Sequence, residues 1–152
     1  MPRSLLPHPN YAERIREARE RIGLSLDQLA ARMGQSPSSQ WDLEADPNEV
    51  LMCISLGWLA GLCEVLQLRP RDLLSDGPVP AGATLALPEL MARIRAYIGS
   101  HEMGLEAFEE LAGWEVGMAL DDPEHARDWN PDGLWDICQL IGVEWLLALP
   151  EC

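Results

Sequence analysis

The chain contains no lysine, a single phenylalanine and only three histidines in 152 residues. Every basic side chain is therefore an arginine, and eleven of them face 25 carboxylates for a net charge of −14. Such acidity repels phosphate instead of steering it in, which excludes avid nonspecific binding of nucleic acid through bulk charge. It fits a basic partner, or solubility alone. His8, His101 and His125 have no evident nucleophile or metal partner, and no glycine-rich phosphate loop is present. No catalytic residue, metal or other cofactor is expected. The cluster Glu106, Glu109 and Glu110 lies along a helix and reads as a solvated face. Cys53, Cys63, Cys138 and Cys152 lack any CxxC or Cys/His spacing, and no secretory signal is evident, so they read as reduced thiols of a cytoplasmic protein. Long hydrophobic runs are missing too. The nearest, Val50 to Leu66, is interrupted by Ser55, Gly57, Gly61 and Glu64, so a buried helix is expected there and no membrane contact.

What is present is helical punctuation. Residues 1–9 hold three prolines and read as an extended arm. Asn10 is placed to cap a helix running to about Ile22, with Arg14, Arg16, Arg19 and Arg21 offset by Glu13, Glu17 and Glu20. Ser25 and Gln28 have capping-box spacing, and Leu26, Leu29, Ala30 and Met33 share one helical face. Gly34 closes that helix, Ser36 caps the next, and Pro37 suits its first position. Helix, glycine turn and capped second helix form the arrangement that sets a recognition helix in a DNA groove. Asp46-Pro47-Asn48 marks a turn, Ser55 to Gln67 an apolar helix and Pro70 to Leu74 a short one.

The run from Ile15 to Leu74 resembles the Cro/lambda-repressor-like (XRE) helix-turn-helix family. The resemblance is carried by Ile15-Arg16, Arg19, Gly23, Leu24-Ser25, Leu29-Ala30, Gly34, Ser36 and Leu43-Glu44, then by Leu59, Leu62, Leu66, Leu68 and Leu73-Leu74. It implies a five-helix bundle that binds operator DNA, usually as a dimer. The chain departs from the family at Leu26, where a DNA-touching Gln is common, at Pro37, where an Arg is frequent, and at Asp42, a position commonly basic.

The second half reads as a second copy of the first, against the alternative of two amphipathic helical segments that coincide. A shift of 79 sets Arg14-Ile15-Arg16 on Arg93-Ile94-Arg95, Leu29 on Phe108, Gly34 on Gly113 and Asp42 on Asp121. A shift of 75 sets Leu59 on Leu134, Leu62 on Ile137 and Cys63 on Cys138. The expected organisation is all-α, with two small lambda-repressor-like bundles in tandem: an arm (1–9), a helix-turn-helix domain (10–75), a Pro/Gly/Ala linker (76–88) and a degenerate acidic copy (89–152). Residues 1–75 hold eight arginines against ten carboxylates, a net −2, and residues 76–152 hold three against fifteen, a net −12.

The expected DNA-facing set is Gln28, Arg32, Ser36, Ser38, Ser39 and Gln40, since Gln can pair with adenine and Ser is permissive. The equivalent stretch of the second copy, Glu115 to Leu120, offers no base-reading donor. Trp41, Trp114, Trp129, Trp135 and Trp145 are candidates for a partner surface, and Trp114 and Trp129 are the expected partner-binding anchors, Trp129 because it sits in the polar stretch HARDWNPDG. The first functional expectation is a DNA-binding regulator whose second copy serves dimerisation or a protein partner. The alternative is an antitoxin-like, immunity or DNA-mimic module that keeps the scaffold without its operator chemistry.

Overall fold

The computed structural model describes residues 10–75 and 77–151. The expected arm, 1–9, lies outside the described residues, as do His8 and Cys152. The chain is all-α. No strand occurs among the described residues, and no helix in them is long and apolar enough to cross a membrane.

The first half comprises α1 (Asn10–Arg21), α2 (Leu26–Arg32), α3 (Pro37–Ala45), α4 (Pro47–Met52), α5 (Leu56–Leu66) and α6 (Pro70–Leu74). In α1, Tyr11, Ile15 and Ala18 recur at spacings of four and three and are all buried. The capping box of α2 is formed: the Gln28 amide donates to Ser25 Oγ at 3.1 Å and the Ser25 amide to Gln28 Oε1 at 2.8 Å. Gly34 then turns the chain at φ +67, a left-handed conformation costly for a side chain with a Cβ. The Ser39 amide donates to Ser36 Oγ, and Pro37 stands in the first turn of α3. Asp46-Pro47-Asn48, expected as a turn, instead starts a helix. Asp46 Oδ1 accepts from the Asn48 amide at 2.9 Å, so the residues that read as a turn act as cap and first turn of α4.

The second half comprises α7 (Leu87–Ser100), α8 (Leu105–Ala112), α9 (Gly117–Asp121), a 3₁₀ helix (Pro123–Asp128), α10 (Pro131–Ile141) and α11 (Trp145–Ala148). α7 starts at Leu87, within the expected linker, because Pro88 fits a first turn where no amide hydrogen is required. The order of six helical elements follows that of the first half. The left-handed positions Gly23, Gly34 and Gln67 have counterparts at Glu102, Gly113 and Gly142, at shifts of 79, 79 and 75.

The halves pack reciprocally. α4 lies on α10, and its counterpart, the 3₁₀ helix, lies on α5. The Leu56 amide donates to the Trp129 carbonyl at 2.7 Å, and Asn130 Nδ2 donates to the Met52 carbonyl at 3.3 Å. One buried cluster runs through both halves, from Tyr11, Ile15 and Leu59 to Phe108, Leu134 and Leu149. The segment between the halves, expected as a linker, is tethered. Arg71 on α6 reaches it, and the Leu85 amide donates to the Leu147 carbonyl at 2.7 Å.

Cys63 and Cys138 are buried in this cluster, whereas Cys53 is exposed. Burial, with a smaller contribution from Glu144, pushes the Cys138 thiol up to about 12. The folded thiol therefore holds its proton where the unfolded one, near 9.0, has lost it, so stability falls as pH rises above 9.0. Alkylation of the native chain followed by peptide mass spectrometry is expected to modify Cys53, and to reach Cys63 and Cys138 only after denaturation. Labelling of Cys138 at the rate of Cys53 would contradict its burial.

Candidate interaction face of α3

Which side of α3 faces outward is decided by a buried polar network beneath it. Arg19, near the end of α1, donates from Nε to Glu44 Oε1 at 3.0 Å, from Nη2 to the same oxygen at 2.8 Å, and from Nη1 to the Leu24 carbonyl at 2.9 Å. Gln40 Nε2 donates to Glu44 Oε2 at 2.7 Å, and Gln35 Nε2 donates to Gln40 Oε1. Gln40, Leu43 and Glu44 thus share the inward side of α3, at the three- and four-residue spacing of one helical face. The opposite side carries Ser38, Trp41, Asp42 and Ala45, all exposed.

This geometry corrects one expected contact. Gln40 is fully buried and its amide is engaged at both ends, so it presents nothing to a base edge. Gln28 is exposed, with its carbonyl oxygen accepting the Ser25 amide in the capping box. Ser36, Ser38 and Ser39 are exposed at the start of α3. Their hydroxyls stand close together, Ser36 Oγ lying 3.1 Å from Ser38 Oγ and 3.0 Å from Ser39 Oγ. Arg32 is exposed at the end of α2.

The remaining arginines of this half are largely engaged elsewhere. Arg14 Nη1 donates to the carbonyls of Leu73 and Ser75 at 2.7 and 2.6 Å. Arg16 stands 3.5 Å from Glu13. Arg69 pairs with Asp72, and its hydrogen bond holds that carboxyl below the usual range. Arg71, on α6, is buried and donates to Pro80, Gly82 and Thr84. The basic rim that a phosphate backbone would require is thus reduced to a few exposed side chains, Arg32 and Arg21 among them.

Trp41, one of the five tryptophans read from the sequence as a candidate partner surface, is the one that the structure exposes. At 61% exposure it is the most exposed tryptophan among the described residues, and it stands at the middle of the outward face of α3. Its position was legible in principle, because Leu43 and Gln40 bracket it at spacings that turn it away from the core. The two tryptophans expected to be anchors are placed differently. Trp114 is half-buried, its indole Nε1 donates to Asp136 at 2.7 Å, and a Cβ at Gly133 would stand only 3.0 Å from its ring. Trp129 is also half-buried, not exposed as expected: it packs against the core, and its carbonyl accepts the Leu56 amide. Among the described residues no group of His, Cys, Asp or Glu is arranged to hold a metal ion.

No protein-family model matches the chain, and neither a curated protein nor a solved structure matches it.

Proposed function

We propose that the chain is a protein-interaction module built on a helix-turn-helix scaffold of XRE type, in which α3 presents Trp41 to a protein partner. One observation carries this reading: the outward side of α3 holds an exposed indole, hydroxyls and Asp42, while the amide suited to adenine is locked inside. A flat, exposed Trp is the side-chain type most enriched at binding hot spots, whereas phosphate recognition calls for cations. The ion pair between Arg19 and Glu44, two of the residues that carry the family resemblance, supports the scaffold assignment. Matched element order and matched left-handed positions support an internal duplication. In that reading the reciprocal packing of the halves is an isologous interface within one chain, which takes the place of a homodimer. The second copy supplies no operator reader, since α9 consists of Gly117, Met118, Ala119, Leu120 and Asp121.

A second reading, a DNA-binding regulator of cytoplasmic type, is favoured by the exposed serines at the start of α3 beside Arg32. Fluorescence anisotropy with random and genomic DNA fragments at low ionic strength separates the two. The interaction module shows no salt-dependent binding. Binding that weakens steeply with salt, and weakens further in Arg32→Ala, establishes the regulator instead. For the module itself, affinity capture from the source cells should yield a protein whose retention drops roughly tenfold in Trp41→Ala. Equal retention by both forms would remove Trp41 from the interface.

A further inference from the structure

The second half has an apolar cleft at the place corresponding to the helix-turn-helix of the first. α9 is pinned at both ends. Glu109 on α8 accepts the amides of Val116 and Gly117 through Oε2 at 2.6 and 3.1 Å, and so supplies the cap that the residue before the helix does not. At the other end, Arg95 on α7 donates from Nη2 to the Leu120 carbonyl at 2.8 Å. α8 and α9 touch through side chains, since a Cβ at Gly117 would stand in ordinary van der Waals contact with Leu105 Cδ2, at 3.4 Å.

Between α7, α8 and α9 lies an open cleft of about 560 Å³, with Ile98, Leu105, Met118 and Leu120 in its lining. Met118 is 67% exposed and Leu105 is 40% exposed, although both stand on fixed helices. The charged lining is Arg95 and Asp121. Exposed carboxylates at Glu106 and Asp121 stand on α8 and α9, and those of Glu102 and Asp122 follow just after α7 and α9. The cations of this half are already engaged: Arg93 with Glu89, Arg127 with Glu124 and Arg95 with the Leu120 carbonyl.

We propose that this cleft docks a basic amphipathic helical segment of another protein, which inserts a bulky apolar side chain between Leu105 and Met118. The inference rests on the reading of the chain as an interaction module, but it uses a face separate from Trp41. The apolar lining supplies the anchor site of a helix-in-groove contact. The net −12 of residues 76–152 selects the sign of the partner, and a polarizable, flexible methionine adapts to the inserted side chain. A second copy of this chain is disfavoured as occupant, because it would bring −14 against the same acidic surface.

The test uses the full chain and a fluorescein-labelled amphipathic peptide of leucine and arginine. Two controls accompany it, one with glutamate for every arginine and one with serine for every leucine. The leucine–arginine peptide should bind with an affinity that falls as salt rises, and both controls should bind roughly tenfold or more weakly. Met118→Ser combined with Leu105→Ser should cost about tenfold, and Asp121→Asn should flatten the salt dependence. Both apolar positions are exposed, so these variants keep the fold, which circular dichroism checks. Trp41→Ala should leave peptide binding unchanged, whatever becomes of the α3 partner, and so separates failure at this cleft from failure of the α3 reading. Equal binding of the leucine-free peptide would reduce the effect to bulk charge and overturn the proposal. Unchanged affinity in the double variant would overturn it as well. A self-association in sedimentation equilibrium that the double variant abolishes would assign the cleft to a second copy instead.

Discussion

Glu44→Ala is expected to lower the unfolding free energy by about 3–5 kcal/mol, read from urea denaturation with an unchanged slope. The magnitude follows from what the substitution leaves behind. Arg19 is almost entirely enclosed and would keep a full charge with only the Leu24 carbonyl to receive it. Gln40, fully buried, would lose the acceptor for its amide. A buried charge without its partner is far more costly than the pair is beneficial. The size of the loss therefore belongs to the single variant, and a cycle exposes it: Arg19→Met should cost much less in a Glu44→Leu background than in the native chain. If the two losses simply add, the pair is not coupled and the network does not fix the orientation of α3. The functional reading depends on this orientation, because a rotated α3 would exchange Trp41 for Gln40 on its outward side.

Most of the fold was legible because its helices are punctuated by residues with one physical use. Ser25, Gly34, Ser36 and Pro70 each set a boundary that a cap or a left-handed turn explains locally. α4 escaped because Asp-Pro serves equally as the start of a turn and as a cap followed by a first helical position. Only Val50 and Leu51, buried against the rest of the core, decide between them. Gln40 was misread for a different reason. A glutamine on a recognition-like helix has the chemistry of an adenine reader, and nothing local reveals that Arg19, 25 residues upstream of Glu44, draws the network inward. Trp129 sits among polar neighbours in sequence yet packs against the core, and contacts with residues distant in sequence leave no local periodicity to detect. The surface chemistry of α3 was therefore the least legible part of the chain, although its helical span was among the clearest.

The other large effect is expected at Arg71, where Arg71→Met should lower stability by about 2–4 kcal/mol while leaving apolar packing nearly filled. Arg71 is 2% exposed and projects from α6 into the stretch that joins the halves. Its Nη1 donates to the carbonyls of Pro80 and Gly82 at 3.2 and 2.9 Å, and its Nη2 donates to Thr84 Oγ1 at 2.9 Å. Glu151, 3.6 Å away, supplies the opposite charge from the far end of the second half. A proline- and glycine-rich stretch has no helix of its own to order it, so these donors replace the missing backbone ladder. The planar guanidinium matters as much as its charge, since it meets three acceptors at once in a fixed fork. Arg71→Lys should therefore recover only part of the loss. Hydrogen exchange gives the sharper readout: in Arg71→Met the Leu85 amide, bonded to the Leu147 carbonyl, should lose protection before the amides of α5 do. Undiminished protection at Leu85 would mean that the packing of α6 on α11 holds the junction without Arg71.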